Sequence, residues 1–442
     1  MTLNIKIKTW FILLILLLVM QSVPMVFAAE IYERKSISMH GEPSLSPGFD
    51  SYQHADINSM QGGTLKLASL GTYDSMNPFI VKGRSAYGIR NYIFESLLSR
   101  NYSEPFSLYG LIAEKIIYPE DRKWIEFHIN KNARFSDGNK INPSDILFSF
   151  NQLREFGRPN HRNYYSRVKK VTITSDSSIK FLINDDDDDR ELILILGLMP
   201  ILPEHIYGNG QFLEANLDVP IGSGPYTVHK IDQGKNITYI KDPNYWAQDL
   251  SINNGMNNFE KISIDYYLDD NSRFEAFKAG LFDLYQVWDP TRWNNLKSEK
   301  KVINGDIHLL NISKKTPAGM LGLAMNTRKE KLSNINIRSA LSSLFDFEWI
   351  NKNLYHGLYD RTVGFYDNSY LSSVNTPISP LEASLMGESA VNMYNTNYAN
   401  FKLLSKKNMR DKLQDALKIF QSNGYILENS KLIDAKTQEP FV

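Results

Sequence analysis

Residue types able to do chemistry are scattered along this chain, and their spacing decides which of them can work together. Five consecutive acids, Asp185 to Asp189, have the charge for a calcium loop. They lack its geometry, because an EF-hand needs a glycine at its sixth position and a bidentate glutamate at its twelfth, and neither follows. A solvated acidic loop is the expectation. Asp346 and Glu348 stand two apart, and residues at that spacing on a helix face different ways, so capping or salt-linking suits them better than joint acid and base work. Ser177 with Lys180 and Ser298 with Lys301 match S-x-x-K, but neither SDN nor KTG accompanies them. The histidines occur singly, without HExxH, and there is no GxSxG elbow. No catalytic residue, metal ligand set or cofactor is expected, and the chain is read as a binding protein rather than an enzyme.

Binding chemistry is better represented. The phrase WDPTRWNN brings Trp288, Arg292 and Trp293 close together. Arginine can pair a carboxylate or a phosphate through two parallel hydrogen bonds, and tryptophan offers apolar area with one polar handle. Core packing is the competing reading for either tryptophan. Tyr73, Asp74 and Asn77 follow the first predicted strand of the domain, and Asn326 lies further on. Each is a candidate to line a cleft, and each is equally explicable as turn or packing chemistry. The segment Pro220 to Val228, PIGSGPYTV, lacks both the Lys and the Ser/Thr of a phosphate loop and is read as a tight structural turn into a strand.

The elements that would position these groups are legible as periodicities. Alternation over Thr64 to Ala68 predicts a half-buried strand, ended by Gly71, Asp74, Asn77 and Pro78. Ile89, Tyr92, Ile93, Ser96 and Leu97 follow a helical period across 87–98. Alternation from Trp124 to Ile129 predicts a strand; Asp137 and Gly138 turn the chain; Asn142 before Pro143 predicts a capped helix with Asp145 in its first turn. The apolar run Leu192 to Met199 is too short for a membrane span and predicts a core helix. Residues 261–288 read as strand, helix and strand, with Asn271 or Ser272 as cap, Gly280 as stop and a second strand from Leu284 to Val287. Arg338 to Trp349 predicts one helix and Asp411 to Asn423 another, followed by Gly424 and a strand starting at Lys431.

Composition sets the compartment and excludes some partners. The 442 residues carry 49 basic and 49 acidic side chains, which gives no field for nucleic acid or anionic membranes. Cysteine is absent, which removes disulfides, thiolate metal sites and the attachment point of a bacterial lipoprotein. Lys6 and Lys8, the uncharged run Trp10 to Met20, and Val26 with Ala28 fit a secretory signal cleaved after Ala28. The remainder exceeds the usual size of one domain. A periplasmic protein is expected.

Several of these phrases together resemble the family 5 extracellular solute-binding proteins, the ligand receptors of oligopeptide, dipeptide and nickel ABC importers. They are GGTLKLASLGTYDSMNPF, YIFESLL, WIEFHINKNARFSDGNKINPSDILFSFNQL, PIGSGPYTV, DPNYW and MNTR, in the family's order over about residues 60–442. FDFEWIN resembles the branch associated with peptides and the peptide-nucleotide antibiotic microcin C.

The resemblance implies an α/β, two-lobed periplasmic-binding-protein fold with an inserted subdomain. Residues 1–28 would be the signal peptide, 29–85 with 196–304 the core of lobe 1, 86–195 the insert, and 305–442 an incomplete lobe 2. It implies a monomer that holds short peptides or peptide conjugates between its lobes, closes on them about hinge strands, and hands them to an inner-membrane ABC permease. The polar string 374–405 departs from the family, and the chain is expected to stop short of the family's usual end. A chaperone-like envelope protein, or a remnant of the receptor without function, is the alternative.

Overall fold

The computed structural model describes residues 30–104, 106–314, 316–369, 371–373, 376–392 and 407–441. The expected signal peptide and part of the polar string 374–405 lie outside these residues. The chain divides into two compact units, up to Tyr285 and from Gln286 onward.

In the first unit, β1 (Ile31–Arg34), β2 (Ser36–Ser38) and β3 (Thr64–Leu70) precede a short helix α1 (Ile89–Tyr92). β4 (Leu98–Arg100), β5 (Ser107–Gly110), β6 (Ala113–Pro119) and β7 (Trp124–Ile129) follow, then helix α2 (Pro143–Phe156). β8 (Val168–Ser175), β9 (Ser178–Ile183), α3 (Leu192–Gly197), β10 (Tyr226–Asp232), β11 (Asn236–Lys241), β12 (Lys261–Tyr267) and α4 (Asp270–Ala279) complete the elements used below.

These strands form a five-stranded sheet β1-β6-β7-β9-β8, a three-stranded sheet β2-β5-β4 and a four-stranded sheet β10-β11-β12-β3. All pairs are antiparallel except β12 with β3, where Ile262 sits opposite Leu65 and Ile264 opposite Leu67. A parallel pair needs a long crossover. Here the crossover is everything between Leu70 and Lys261.

The period-two patterns translate directly into burial. On β7, Ile125, Phe127 and Ile129 are buried, while Trp124, Glu126 and His128 on the other face are partly exposed. The buried face meets α2 through an edge-on aromatic chain, Phe127 to Phe181 at 5.8 Å and Phe181 to Phe150 at 5.5 Å. The head of α2 is as expected, with Asn142 at the cap, Pro143 at the first position and Asp145 in the first turn. The Asn142 side chain donates to the Lys140 carbonyl, and the Asp145 carboxylate accepts the Asn142 N–H at 2.8 Å.

Three predicted elements are corrected. The helix expected over 87–98 lasts only from Ile89 to Tyr92. Beyond it the backbone is claimed by neighbours: the Ile93 carbonyl accepts from Gly224, the Glu95 carbonyl from Ile201 and the Leu97 carbonyl from Ala113. Buried Ile93, Phe94 and Leu97 therefore sit in an irregular core segment. The strand expected at Leu284 to Val287 does not form. Instead Asp283 alone meets β3, its carboxylate accepting the Lys66 N–H at 2.7 Å and its N–H reaching the Lys66 carbonyl at 2.8 Å. The single helix expected over Arg338 to Trp349 is two, α6 (Ile335–Ser343) and α7 (Phe347–Leu354), with Asp346 capping the second.

The second unit also contains α5 (Pro290–Leu296), which precedes α6, and α8 (Met409–Ser422), followed by a hairpin of β13 (Tyr425–Glu428) and β14 (Lys431–Asp434). The hairpin turns on Asn429 and Ser430, both at positive φ, which matches the right-handed twist of the strands. The strand expected from Lys431 is thus its second strand, β14, and β13 before it was not foreseen. Ile337, Ala340, Ala416, Phe420 and Tyr425 make its small core. Among the described residues, no helix is long and apolar enough to cross a membrane.

Candidate ligand-binding site

The candidates of the first unit sit just past β3, and most of their polar atoms are engaged with backbone. Tyr73 is 1% exposed. Its hydroxyl donates to the carbonyls of Asp232 at 3.1 Å and Asn236 at 2.7 Å, so the ring braces the turn between β10 and β11 from inside. Asn77 is a clamp: its amide donates to the Phe212 carbonyl at 2.6 Å, and its carbonyl oxygen accepts from the Phe79 N–H at 3.0 Å. Asp74 is exposed, with one carboxylate oxygen accepting from the Arg84 N–H at 2.6 Å. Of the three, only Asp74 offers a surface group.

In the second unit, Trp288, Arg292 and Trp293 lie together at the start of α5. Asp289 caps that helix by accepting the Arg292 N–H at 2.8 Å, and the Trp293 N–H reaches the Asp289 carbonyl at 3.0 Å. Trp288 is 72% exposed, with the Lys314 ammonium 5.4 Å from its ring centroid. Exposure on this scale is not what core packing would give. Trp293 is half-buried. Asn326 belongs to a separate turn, where its side-chain oxygen accepts from the Arg328 N–H at 3.2 Å.

A groove of about 510 Å³ opens beside these residues on the same unit, lined by Asn294 of α5, by Phe347, Glu348 and Lys352 of α7, and by His356 beyond it. Helical geometry sets the α7 contribution, since residues four apart share a face. Asp346 caps α7 by accepting the Trp349 N–H at 3.3 Å, and Glu348 faces the buried Lys412 at 3.7 Å, so both acids have the structural roles their spacing implies. Asn351 holds the loop after the helix, donating to the Tyr359 carbonyl at 2.7 Å and accepting the Tyr359 N–H at 3.1 Å. Sequence reasoning passed over Asn294, Phe347, Lys352 and His356. The signal was present as Glu348 and Lys352 at a four-residue spacing, followed by His356 and Gly357.

The remaining polar clusters are structural. Asp187 and Asp189 of the acid run receive the Arg167 guanidinium, Asp185 pairs with Lys169, and Asp188 with Lys123. Hydrogen bonding from the Arg167 guanidinium holds the Asp187 carboxyl below its ordinary value. No group of three or more metal-ligating side chains occurs among the described residues. Gly222 and Gly224 pass so close to the backbone of Ile93 and Tyr92 that an added Cβ would lie 2.1 Å and 2.4 Å from their carbonyl oxygens. The tight turn thus serves packing.

Glu95 of YIFESLL is buried beneath DPNYW. It accepts a bond from the Tyr245 hydroxyl and another, at 3.0 Å, from the Trp246 indole N–H. Burial pushes this carboxyl up to about 7, with the two hydrogen bonds opposing the shift.

Comparison with known proteins places these features in a family. A sequence profile of the bacterial extracellular solute-binding proteins, family 5 Middle, matches residues 107–440. A protein of Brucella suis biovar 1 (strain 1330), named as a binding protein without a stated ligand, is 39% identical over 359 residues, covering 79% of this chain and 58% of its own length. The chain therefore spans well under two thirds of that relative. The peptidoglycan-binding protein YepA of Agrobacterium fabrum is 32% identical over 421 residues, covering 91% of this chain and 68% of YepA. In fold, the oligopeptide-binding protein AppA of Bacillus subtilis, solved with a nonapeptide, is similar at a TM-score of 0.55 and 19% identity, covering 86% of this chain and 68% of AppA. The α/β architecture is that of these two-lobed receptors, which bind ligands and are not enzymes. This chain belongs to the bacterial extracellular solute-binding proteins, family 5.

Proposed function

We propose that this chain is the periplasmic substrate-binding component of an ABC importer, that it takes up short peptides or peptide conjugates of the microcin C type, and that it delivers them to an inner-membrane permease. The observation that carries the reading is the 32% identity to YepA across 91% of the chain, since peptidoglycan bears peptide stems. The exposed Trp288, just before the cap of α5, gives such a ligand apolar area with one polar handle. Secretion would follow cleavage after Ala28, and the receptor would work as a monomer without a cofactor. In this reading the lobe boundaries are those expected from the resemblance.

The test is thermal unfolding of the purified protein with and without defined tripeptides and a peptidoglycan-derived peptide. A ligand present at a hundred times its Kd stabilises a folded receptor by about 2.7 kcal/mol. A raised transition supports the reading. The second unit also exposes Leu321 at 87%, Leu323 at 88% and Phe365 at 89%, which favours the chaperone-like alternative. That alternative would show no response to any short peptide, together with suppressed aggregation of an unfolded client protein.

A further inference from the structure

We propose that the groove on the second unit is a binding site for a carboxylate carried on an amide, the chemistry shared by a peptide's C-terminal residue and a free N-acyl amino acid. The groups around it divide into spent and unspent. Glu348 has its charge met by Lys412, which is 4% exposed and stands 3.7 Å away, and Asn351 is occupied in holding the loop at Tyr359.

Among the described residues, no hydrogen bond or ion pair engages the side chains of Lys352, His356 or Asn294, all of which line the groove. Lys352 stands four residues after Glu348, yet Glu348 is drawn to Lys412 instead. With the one acid neutralised from behind, the open face presents an ammonium and an imidazole, which favour an anion. Asn294 supplies both a donor and an acceptor for an amide, and Phe347 supplies an apolar wall. The groove, about 510 Å³, is shallow and largely open to solvent, so a ligand would reach these groups from the surface. The inference stands on this unit alone and does not require that peptides be the transported cargo.

Calorimetric titration of the full chain with hippurate and with its amide, hippuramide, tests it. Hippurate is expected to saturate, with hippuramide at least tenfold weaker. Lys352→Gln should weaken hippurate about tenfold, the effect of losing one charge-assisted contact, and leave hippuramide unchanged. Lys412→Met should act in the same direction, because Glu348 then faces the ligand unneutralised. Lys436→Gln, in the exposed turn that follows β14, should bind as the parent does. The Lys352 substitution is at an exposed position and carries the test if Lys412→Met fails to fold.

Tri-alanine titrated in parallel separates the two sources: tighter binding than hippurate marks a peptide end, and weaker binding marks a free acyl amino acid. Absence of saturable hippurate binding, equal binding of hippuramide, or unchanged affinity in Lys352→Gln would overturn the proposal.

Discussion

Replacing Glu95 by glutamine should change how the stability of this protein depends on pH, and the size of the change follows from the burial of one carboxyl. Glu95 lies under Tyr245 and Trp246, and burial moves it from an ordinary 4.5 to about 7. A raised carboxyl holds its proton more tightly in the folded chain than in the unfolded one. Its contribution is therefore fully present below 4.5 and is lost as the pH climbs through about 7. At 1.36 kcal/mol for each pH unit, the interval amounts to roughly 3 kcal/mol.

Glutamine keeps an acceptor for Tyr245 but turns an amide N–H toward one of the two donors. A constant cost of about 1–3 kcal/mol is expected for that mismatch at every pH. The diagnostic quantity is the change with pH, in which that constant cancels. Urea unfolding of both proteins should be measured at pH 5 and pH 8, where every other titrating group is common to the pair. The parent should lose about 3 kcal/mol more than Glu95→Gln between the two conditions. Parallel profiles would refute the reasoning and mean that the folded carboxyl titrates as it does in water.

Further outcomes follow from the same unit. Gly222→Ala should destabilise by at least about 3 kcal/mol or prevent folding, because its Cβ would lie 2.1 Å from the Ile93 carbonyl oxygen; a urea midpoint within error of the parent would exclude the close approach. His161 is held down to about 4 by burial and then by the Arg90 and Arg158 charges. A lowered base contributes stability that is present above its ordinary 6.5 and lost as the pH falls through about 4. His161→Gln should therefore flatten the acid limb of the thermal-stability profile between those values, and an unchanged acid limb would show that the ring is hydrated.

The legible parts of the fold share one property, that a local pattern and a tertiary need coincide. β3 and β7 appear where period-two alternation predicts them, because one face of each sheet is buried and a slip by one residue would invert every side chain. The hairpin β13–β14 was half visible, since Gly424 marked the helix end but Asn429 and Ser430 gave weaker turn signals than an Asn-Gly pair. Of the candidate site, the sequence pointed to the exposed Trp288 and to the helix start carrying Arg292. It also put forward Tyr73 and Asn77, whose polarity is consumed by the carbonyls of Asp232, Asn236 and Phe212. Polar side chains that follow a strand look alike in sequence whether they face solvent or a buried carbonyl.

The sequence by itself determined the family, the strands with clean alternation, the helix that begins at Pro143 and the absence of catalytic spacing, because each is written in neighbouring residues. The tertiary structure alone decided the rest. It broke the helical pattern of 87–98 by taking the carbonyls of Ile93, Glu95 and Leu97 for distant N–H groups. It set Lys412 behind Glu348, and among the described residues so left Lys352 without an ion-pair partner beside Phe347. Such pairings depend on which segments meet across tens or hundreds of residues, and local periodicity carries no information about that meeting.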